Sequence, residues 1–218
     1  YYVPFAFVVE KLKLDDDSVR YYRDLAWLEW TSANFESANG WWLKLLALDA
    51  NNWNALTYLS GAYNPIVGER EIAKKFEKKV VELVRSGKDF PVFLSYRIAY
   101  VFWQGKDIAT ARYYFDKQIK FCLKEIELNS SYFVSERHFE LVCVYSFLKD
   151  YDKAFLHLKN LEGERFYRTG MLTRFKYDPL LDNIRDDPRL RAFQRQAEEK
   201  YQKEHDLVRT MLAGRELL

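Results

Sequence analysis

The chain has 218 residues, 49% of them hydrophobic and 17% aromatic, with 34 Lys and Arg against 32 Asp and Glu. Such a length and apolar content allow a substantial core and exclude a disordered chain. The net charge of +2 gives no long-range field that would attract nucleic acid or an anionic membrane surface. With 8 Gly and 5 Pro, turn residues are too sparse for many short strands, which favours helices.

The sequence gives little sign of targeting or of oxidative folding. No segment reaches the roughly 18 apolar residues of a membrane span, and no signal peptide is recognisable. Cys122 and Cys143 lie in apolar helical stretches and are expected to be buried thiols rather than a disulfide framework. Cytoplasmic residence is therefore the default expectation. The start at Tyr1 favours a fragment of a longer protein.

The clearest pattern predicts a helical hairpin. Apolar residues at helical spacing predict one helix over 22–34 and a second over 36–48. Ala26 and Ala38 are small, which allows the two helix axes to approach to about 8–10 Å.

The same pattern extends toward the start of the chain. Leu14 and Asp15 recur as Leu48 and Asp49, 34 residues later. We therefore expect the array to begin within a repeat whose first helix is absent.

A second hairpin is predicted to begin near Trp53. Its first helix is expected to break around Asn64 and Pro65, because proline removes a donor and clashes within a helix. The return helix is predicted over 69–85, with a stop at Gly87.

Two further hairpins follow with irregular spacing. A turn at Gln104 and Gly105 precedes a return helix that contains Ala111 and is expected to extend to Leu128. The equivalent Ala154 lies 43 residues after Ala111, so the third hairpin is predicted to be longer than the others.

The C-terminal part of the chain carries two helix starts. Asp178 precedes Pro179 and Asp187 precedes Pro188, so each pair places a capping carboxylate before a proline at the first helical position. The last helix is predicted over 188–213 and is expected to cap the array. Its apolar stripe consists of Leu190, Phe193, Ala197, Tyr201, Val208 and Leu212.

These features resemble the tetratricopeptide repeat (TPR) family over about 22–163. The most specific matches are Ala38 with Trp42, and Ala154 with the Lys-Asp-Tyr sequence that precedes it. The resemblance implies an all-α solenoid of helical hairpins, with a repeat array over 1–163.

The remainder, 164–218, is expected to form a connecting segment and capping helices of the same domain. Residues 177–191 resemble the segment that closes repeat arrays in many bacterial multidomain regulators. This resemblance implies that the chain is the C-terminal repeat region of a larger regulatory or signalling protein, with a DNA-binding, cyclase or kinase-type module N-terminal to the repeats.

The resemblance also implies that the first helix of each hairpin lines a concave groove, which binds a protein or peptide. An aromatic groove favours an apolar or amphipathic peptide. The alternative is that the rings pack between helices. The inward positions are Arg23, Trp27, Trp30, Thr31, Asn54, Thr57, Tyr96, Tyr100, Trp103, Gln104, Phe139, Cys143 and Phe147. We expect Trp30, Tyr100 and Trp103 to contribute most.

No catalytic or metal-binding pattern is recognisable. His138, His157 and His205 show no paired spacing with cysteine or carboxylate, and phosphate loops, nucleophile elbows and zinc motifs are absent from the sequence. The sequence therefore predicts no catalytic residue, no metal and no cofactor. Lys74, Lys75, Lys78 and Lys79 predict a solvated helix face, since acidic residues interrupt them.

Two alternatives to peptide binding stay open. The apolar stripe of the last helix could be a seam for self-association or for packing against other domains of a parent protein, since an apolar face must be buried. An enclosed aromatic groove would instead suit a small molecule.

Overall fold

The computed structural model describes residues 18–62, 70–128, 133–161 and 169–213. This part of the chain contains helices and no strand, which confirms the all-α prediction. The α-helices are α1 Ser18–Thr31, α2 Phe35–Leu48, α3 Trp53–Thr57, α4 Arg70–Arg85, α5 Ser95–Gln104, α6 Ile108–Glu127, α7 Val134–Phe147, α8 Tyr151–Lys159, α9 Thr169–Tyr177 and α10 Pro188–Ala213. Short 3₁₀ helices cover Val92–Leu94 and Pro179–Ile184.

Three helical hairpins share one turn geometry. Helix α1 packs on α2, α5 on α6 and α7 on α8. In each turn a non-glycine residue adopts the left-handed conformation, with φ of 61° at Ala33, 65° at Lys106 and 64° at Lys149. Its N–H bonds to the carbonyl three residues earlier, and the next N–H reaches back five residues. This pattern satisfies carbonyls at the helix end, and an Asn or Asp then occupies the position just before the second helix.

Small buried residues recur at fixed distances from these turns. Ala38, Ala111 and Ala154 each lie five residues after the left-handed residue and are buried. Ala26 and Ala99 lie seven residues before it and are also buried. Ala26 and Ala38 are both fully buried in two helices that pack on each other, and the same burial of alanines recurs at spacings other than 34 residues.

The hairpin of α3 and α4 departs from this geometry. Helical backbone continues through a π-helical segment, Tyr58–Ala62, and is interrupted at Gly61, whose φ is 84°. Glycine lacks the Cβ that disfavours this conformation, so the break comes before the predicted Asn64 and Pro65. Those two residues lie outside the described ones. Gly87, with φ of 78°, follows α4 as predicted.

Most other predicted boundaries are close to the observed ones. Helix α1 begins at Ser18 rather than residue 22, and α6 ends at Glu127. The last helix has the predicted bounds. The predicted start within a repeat, at Leu14 and Asp15, lies outside the described residues.

The segment after the hairpins folds back along their first helices. Residues 169–177, within the predicted connecting segment, form α9, and α9 packs on α1. The hydroxyl of Thr173 donates to the carbonyl oxygen of Thr31 at 2.6 Å. A methyl group at Gly170 would come within 2.7 Å of the Thr31 side chain, so glycine permits this close approach.

The same segment also contacts α5 and α7. Arg174 donates to Glu136 of α7 at 2.6 Å and to the hydroxyl of Tyr96 of α5 at 3.3 Å. The ring of Phe175 meets that of Phe139 edge to face, with centroids 4.9 Å apart. Residues of three first helices are therefore covered by the chain's own C-terminal segment.

A buried ion pair fixes this arrangement. Arg97 of α5 makes two hydrogen bonds to the carboxylate of Asp178, and both side chains are buried. The same carboxylate accepts from the N–H of Leu180 at 3.0 Å and so caps the 3₁₀ helix Pro179–Ile184. Arg185 donates to the carbonyl oxygen of Asp178 at 2.6 Å. One carboxylate thus joins segments 81 residues apart.

We predict that Arg97→Met lowers the free energy of unfolding by about 3–5 kcal/mol, because it leaves the Asp178 carboxylate buried without its partner. The matched control is Arg85→Met, which removes an arginine whose side chain is 66% exposed and pairs with Asp107. The control substitution should lower the free energy of unfolding by no more than about 1 kcal/mol. Urea denaturation of both variants measures the difference, and equal losses would contradict the assigned role of the buried pair.

Candidate functional site

An open cleft of about 540 Å³ lies between two of the hairpins. It is formed where the ends of α5 and α7 meet the start of α6 and the 3₁₀ helix Pro179–Ile184. The lining residues are Tyr100, Trp103, Ile108, Ala111, Arg112, Phe115, Phe147, Leu148, Lys149, Pro179, Asp182 and Asn183. Its volume is in the range of about 300–1,000 Å³ that is typical of ligand sites.

Aromatic rings form the floor of this cleft. The rings of Tyr100 and Trp103 stack with centroids 5.8 Å apart, and Phe147 meets Trp103 edge to face at 4.9 Å. The ring centroids of Phe115 and Phe147 are 5.1 Å apart. Trp103 is 43% exposed and Ile108 is 53% exposed, so the cleft presents apolar surface to solvent.

Regular elements hold these rings in place. Tyr100 and Trp103 are three residues apart on α5 and therefore share a helix face. Phe147 is the last residue of α7. The side chain of Asn183 donates to the carbonyls of Ser146 and Phe147 at 3.1 and 3.3 Å, which ties the 3₁₀ helix to the end of α7.

The charged side chains of the cleft are mainly basic. Arg112 and Lys149 are exposed at its wall, and neither makes an ion pair with any described residue. The one acidic lining residue, Asp182, pairs with Arg185. Burial raises the pKa of Tyr100 to about 12, so its phenol is neutral at physiological pH.

A second cleft, of about 340 Å³, lies beside α4. Leu46, Leu56 and Phe76 give it an apolar floor, and Lys75, Lys78 and Lys79 line its edge. Lys79 lies 3.9 Å from Glu82, and Lys74 bonds to Glu71 at 2.8 Å. This face agrees with the predicted solvated lysine face interrupted by acids.

Two polar clusters lie inside the fold rather than at its surface. In the first, Glu140 accepts from Arg137 at 2.7 Å and from Gln118 at 2.8 Å. The thiol of Cys122 lies 3.2 Å from the same carboxylate. Burial raises the pKa of Cys122 and that of Cys143, so both are protonated thiols, buried as the sequence predicted.

The second cluster joins two histidines. The Nδ1 atoms of His138 and His157 are 2.9 Å apart, and the His157 ring is parallel to that of Tyr145 at 5.7 Å. Burial lowers the pKa of His157 to about 4, with His138 acting in the same direction. No sequence pattern indicates this pair, because the two residues are 19 positions apart on different helices.

The structure divides the predicted groove residues into three groups. Tyr100, Trp103 and Phe147 come together in the aromatic cleft. Trp30, Tyr96 and Phe139 are buried in the core, so these rings pack between helices, as the alternative interpretation held.

Arg23, Trp27 and Asn54 are partly exposed and do not line the cleft. Arg23 pairs with Asp24, and Trp27 packs edge to face on Trp30. Thr57 and Cys143 are buried, and Thr31 and Gln104 are partly exposed.

Several residues that complete the cleft have no signal in the sequence. Ile108 and Arg112 belong to a second helix, and Asp182 and Asn183 to the C-terminal segment. The repeat pattern points only to first helices and gives no signal for them.

Comparison with protein-family models, curated proteins and solved structures finds no match to this chain. Membership of the TPR family therefore stays a prediction from the sequence. Within the described residues, no group of three or more His, Cys, Asp or Glu could hold a metal ion, and no helix is both long and apolar enough to cross a membrane.

We predict that the free energy of unfolding contains a His157 contribution that is lost as the pH falls from about 6.5 to about 4. The folded protein holds the pKa of His157 at about 4, below its ordinary value near 6.5, so the unfolded chain binds the proton more tightly in this window. Between about pH 8 and pH 5 the loss should be about 2 kcal/mol. His157→Gln should remove this part of the pH dependence.

Glu140 acts in the opposite direction, because burial raises its pKa to about 7 and its contribution is lost as the pH rises through that value. Both proteins contain Glu140, so its effect cancels in the difference between them. Urea denaturation across the pH range makes the comparison. If the free energy of unfolding depends on pH in the same way in both proteins, the pKa of His157 is not lowered in the folded state.

Proposed function

We propose that this chain is a non-catalytic TPR-type module that binds a peptide segment of another protein in the aromatic cleft. The observation that carries the proposal is the cluster of Tyr100, Trp103 and Phe147 on rigid helix ends, in which Trp103 is 43% exposed. Large rings provide contact area at low entropic cost, and exposed apolar clefts of this kind commonly mark interaction sites.

The repeated hairpin geometry supports the TPR part of the proposal. The same left-handed turn, followed by an Asn or Asp and then by a buried alanine, occurs in three hairpins. Helical repeat proteins stack such units and use the surface between them for binding. The resemblance of residues 177–191 to closing segments of bacterial regulators supports a role within a larger regulatory or signalling protein.

The shape of the cleft favours a peptide over an enclosed small molecule. Trp103, Ile108 and Leu148 are each more than one third exposed, so a ligand lying on them would keep one side in solvent. A peptide satisfies this geometry because only some of its side chains need burial.

We predict that Trp103→Ala weakens binding of cleft ligands about tenfold or more, because it removes the most exposed ring of the cluster. A random peptide display library, selected on the full chain, supplies the ligands. The affinities of enriched peptides for wild type and variant are then compared by calorimetry.

The matched control is Tyr113→Ala. Tyr113 is on α6 and 62% exposed but does not line the cleft, so its removal should leave affinity unchanged. Enriched peptides that bind wild type and Trp103→Ala equally well would place their site elsewhere and contradict the proposal.

A second candidate function is self-association through α10. The first half of this helix packs on the body through Leu190 and Phe193, and Phe193 lies 5.0 Å from Phe175. The second half exposes Leu207 and Met211, four residues apart and 61% and 53% accessible. Residues at this spacing share one face of a helix, which gives an apolar strip at the surface.

Self-association predicts that the molar mass from light scattering rises with protein concentration. It also predicts that Leu207→Glu restores the monomer mass, because a charge would enter the apolar seam. A monomer mass at every concentration would contradict this second function.

A further inference from the structure

We infer that the ligand of the aromatic cleft is an acidic peptide, with one aromatic or aliphatic side chain seated on Trp103 and carboxylates reaching Arg112 and Lys149. This inference rests on the proposed function and adds the chemistry of the ligand to it. The inference is drawn from two positive charges at the cleft, those of Arg112 and Lys149, which form no ion pair with any described residue.

Three acidic residues at or beside the cleft already have basic partners. Asp107 accepts from Arg85 at 3.2 Å, Asp150 from Lys153 at 2.6 Å, and Asp182 pairs with Arg185. Each of these local pairs is complete without Arg112 or Lys149. The cleft therefore carries two basic groups that are available to a ligand.

Both groups extend from rigid backbone. Arg112 follows the buried Ala111 on α6. Lys149 occupies the left-handed position of the α7–α8 turn, with φ of 64° and an N–H bond to the carbonyl of Ser146 at 3.1 Å. Charges on fixed elements lose less freedom on binding than charges on mobile loops.

The floor and the wall of the cleft select different parts of a peptide. The exposed face of Trp103 and the side chain of Ile108 suit an apolar anchor, which gains free energy by leaving water. Arg112 can make two parallel hydrogen bonds to a carboxylate, and Lys149 adds a second charge. Basic residues in a ligand would be repelled by both cations.

A nucleic acid suits these features less well. Single-stranded nucleic acids require a basic groove that follows several phosphates, with rings spaced along it. Here the basic groups of the cleft number two, and the whole chain has a net charge of +2. The observations thus favour a peptide.

The test uses the full chain and three short synthetic peptides that share a central Trp. The Trp is flanked by Glu in the first, by Gln in the second and by Lys in the third. We expect the Glu peptide to bind at least about tenfold more tightly than the Gln peptide, and its affinity to fall as salt is added. The Lys peptide should bind most weakly.

Charge reversal provides the matched comparison. The double variant Arg112→Glu/Lys149→Glu should reverse the order, so that the Lys peptide binds more tightly than the Glu peptide. The control is Lys106→Glu/Lys120→Glu. Lys106 holds the equivalent left-handed turn position of the α5–α6 hairpin, and both lysines are exposed away from the cleft lining. The control should keep the wild-type order.

The possible outcomes separate the two proposals. Equal binding of the Glu and Gln peptides, lost in Trp103→Ala, would overturn the acidic ligand and leave the peptide-binding function standing. If no peptide shows binding that Trp103→Ala weakens, both the acidic ligand and the peptide-binding function are overturned. A third outcome is that the chain binds single-stranded oligothymidylate, that Arg112→Glu/Lys149→Glu abolishes this binding, and that the Glu peptide is not preferred. This outcome would replace the acidic peptide with a nucleic acid as the ligand.

Discussion

The buried ion pair between Arg97 and Asp178 is the interaction on which the rest of the structure depends. Two charges removed from water are stable only when each satisfies the other, so this pair tolerates little displacement. It holds the start of the 3₁₀ helix Pro179–Ile184 against α5. Asn183 of that helix then bonds to the end of α7. One wall of the aromatic cleft is therefore positioned by a contact deep in the core.

The path of the C-terminal segment also explains where the proposed binding surface lies. Helix α9 covers Tyr96 of α5 and Phe139 of α7. In the predicted TPR-type groove, these two positions would contact the ligand. The open aromatic surface that remains is at the ends of α5 and α7, around Trp103 and Phe147. Under our proposal, the C-terminal segment covers part of the predicted groove, and a peptide binds at the edge of the covered part.

The sequence predicted the local structure well because local signals determine it. Ala38, Ala111 and Ala154 marked the second helices correctly, and all three are buried at equivalent places. The position of α9 could not be predicted, because it depends on the contact between Arg97 and Asp178 across 81 residues. Helical periodicity also cannot tell a core ring from a surface ring when both lie on the inner face. The sequence therefore predicts only some of the residues that line the cleft.

The most direct test of this account is a chemical-shift map of the isotope-labelled chain, recorded while a peptide selected on it is added. We expect the largest changes on the Trp103 indole and on the backbone around Ile108, Arg112, Phe147 and Lys149. Such a pattern would place the ligand in the aromatic cleft. Changes confined to the second half of α10, or to the lysine face of α4, would contradict the account and place binding on another surface.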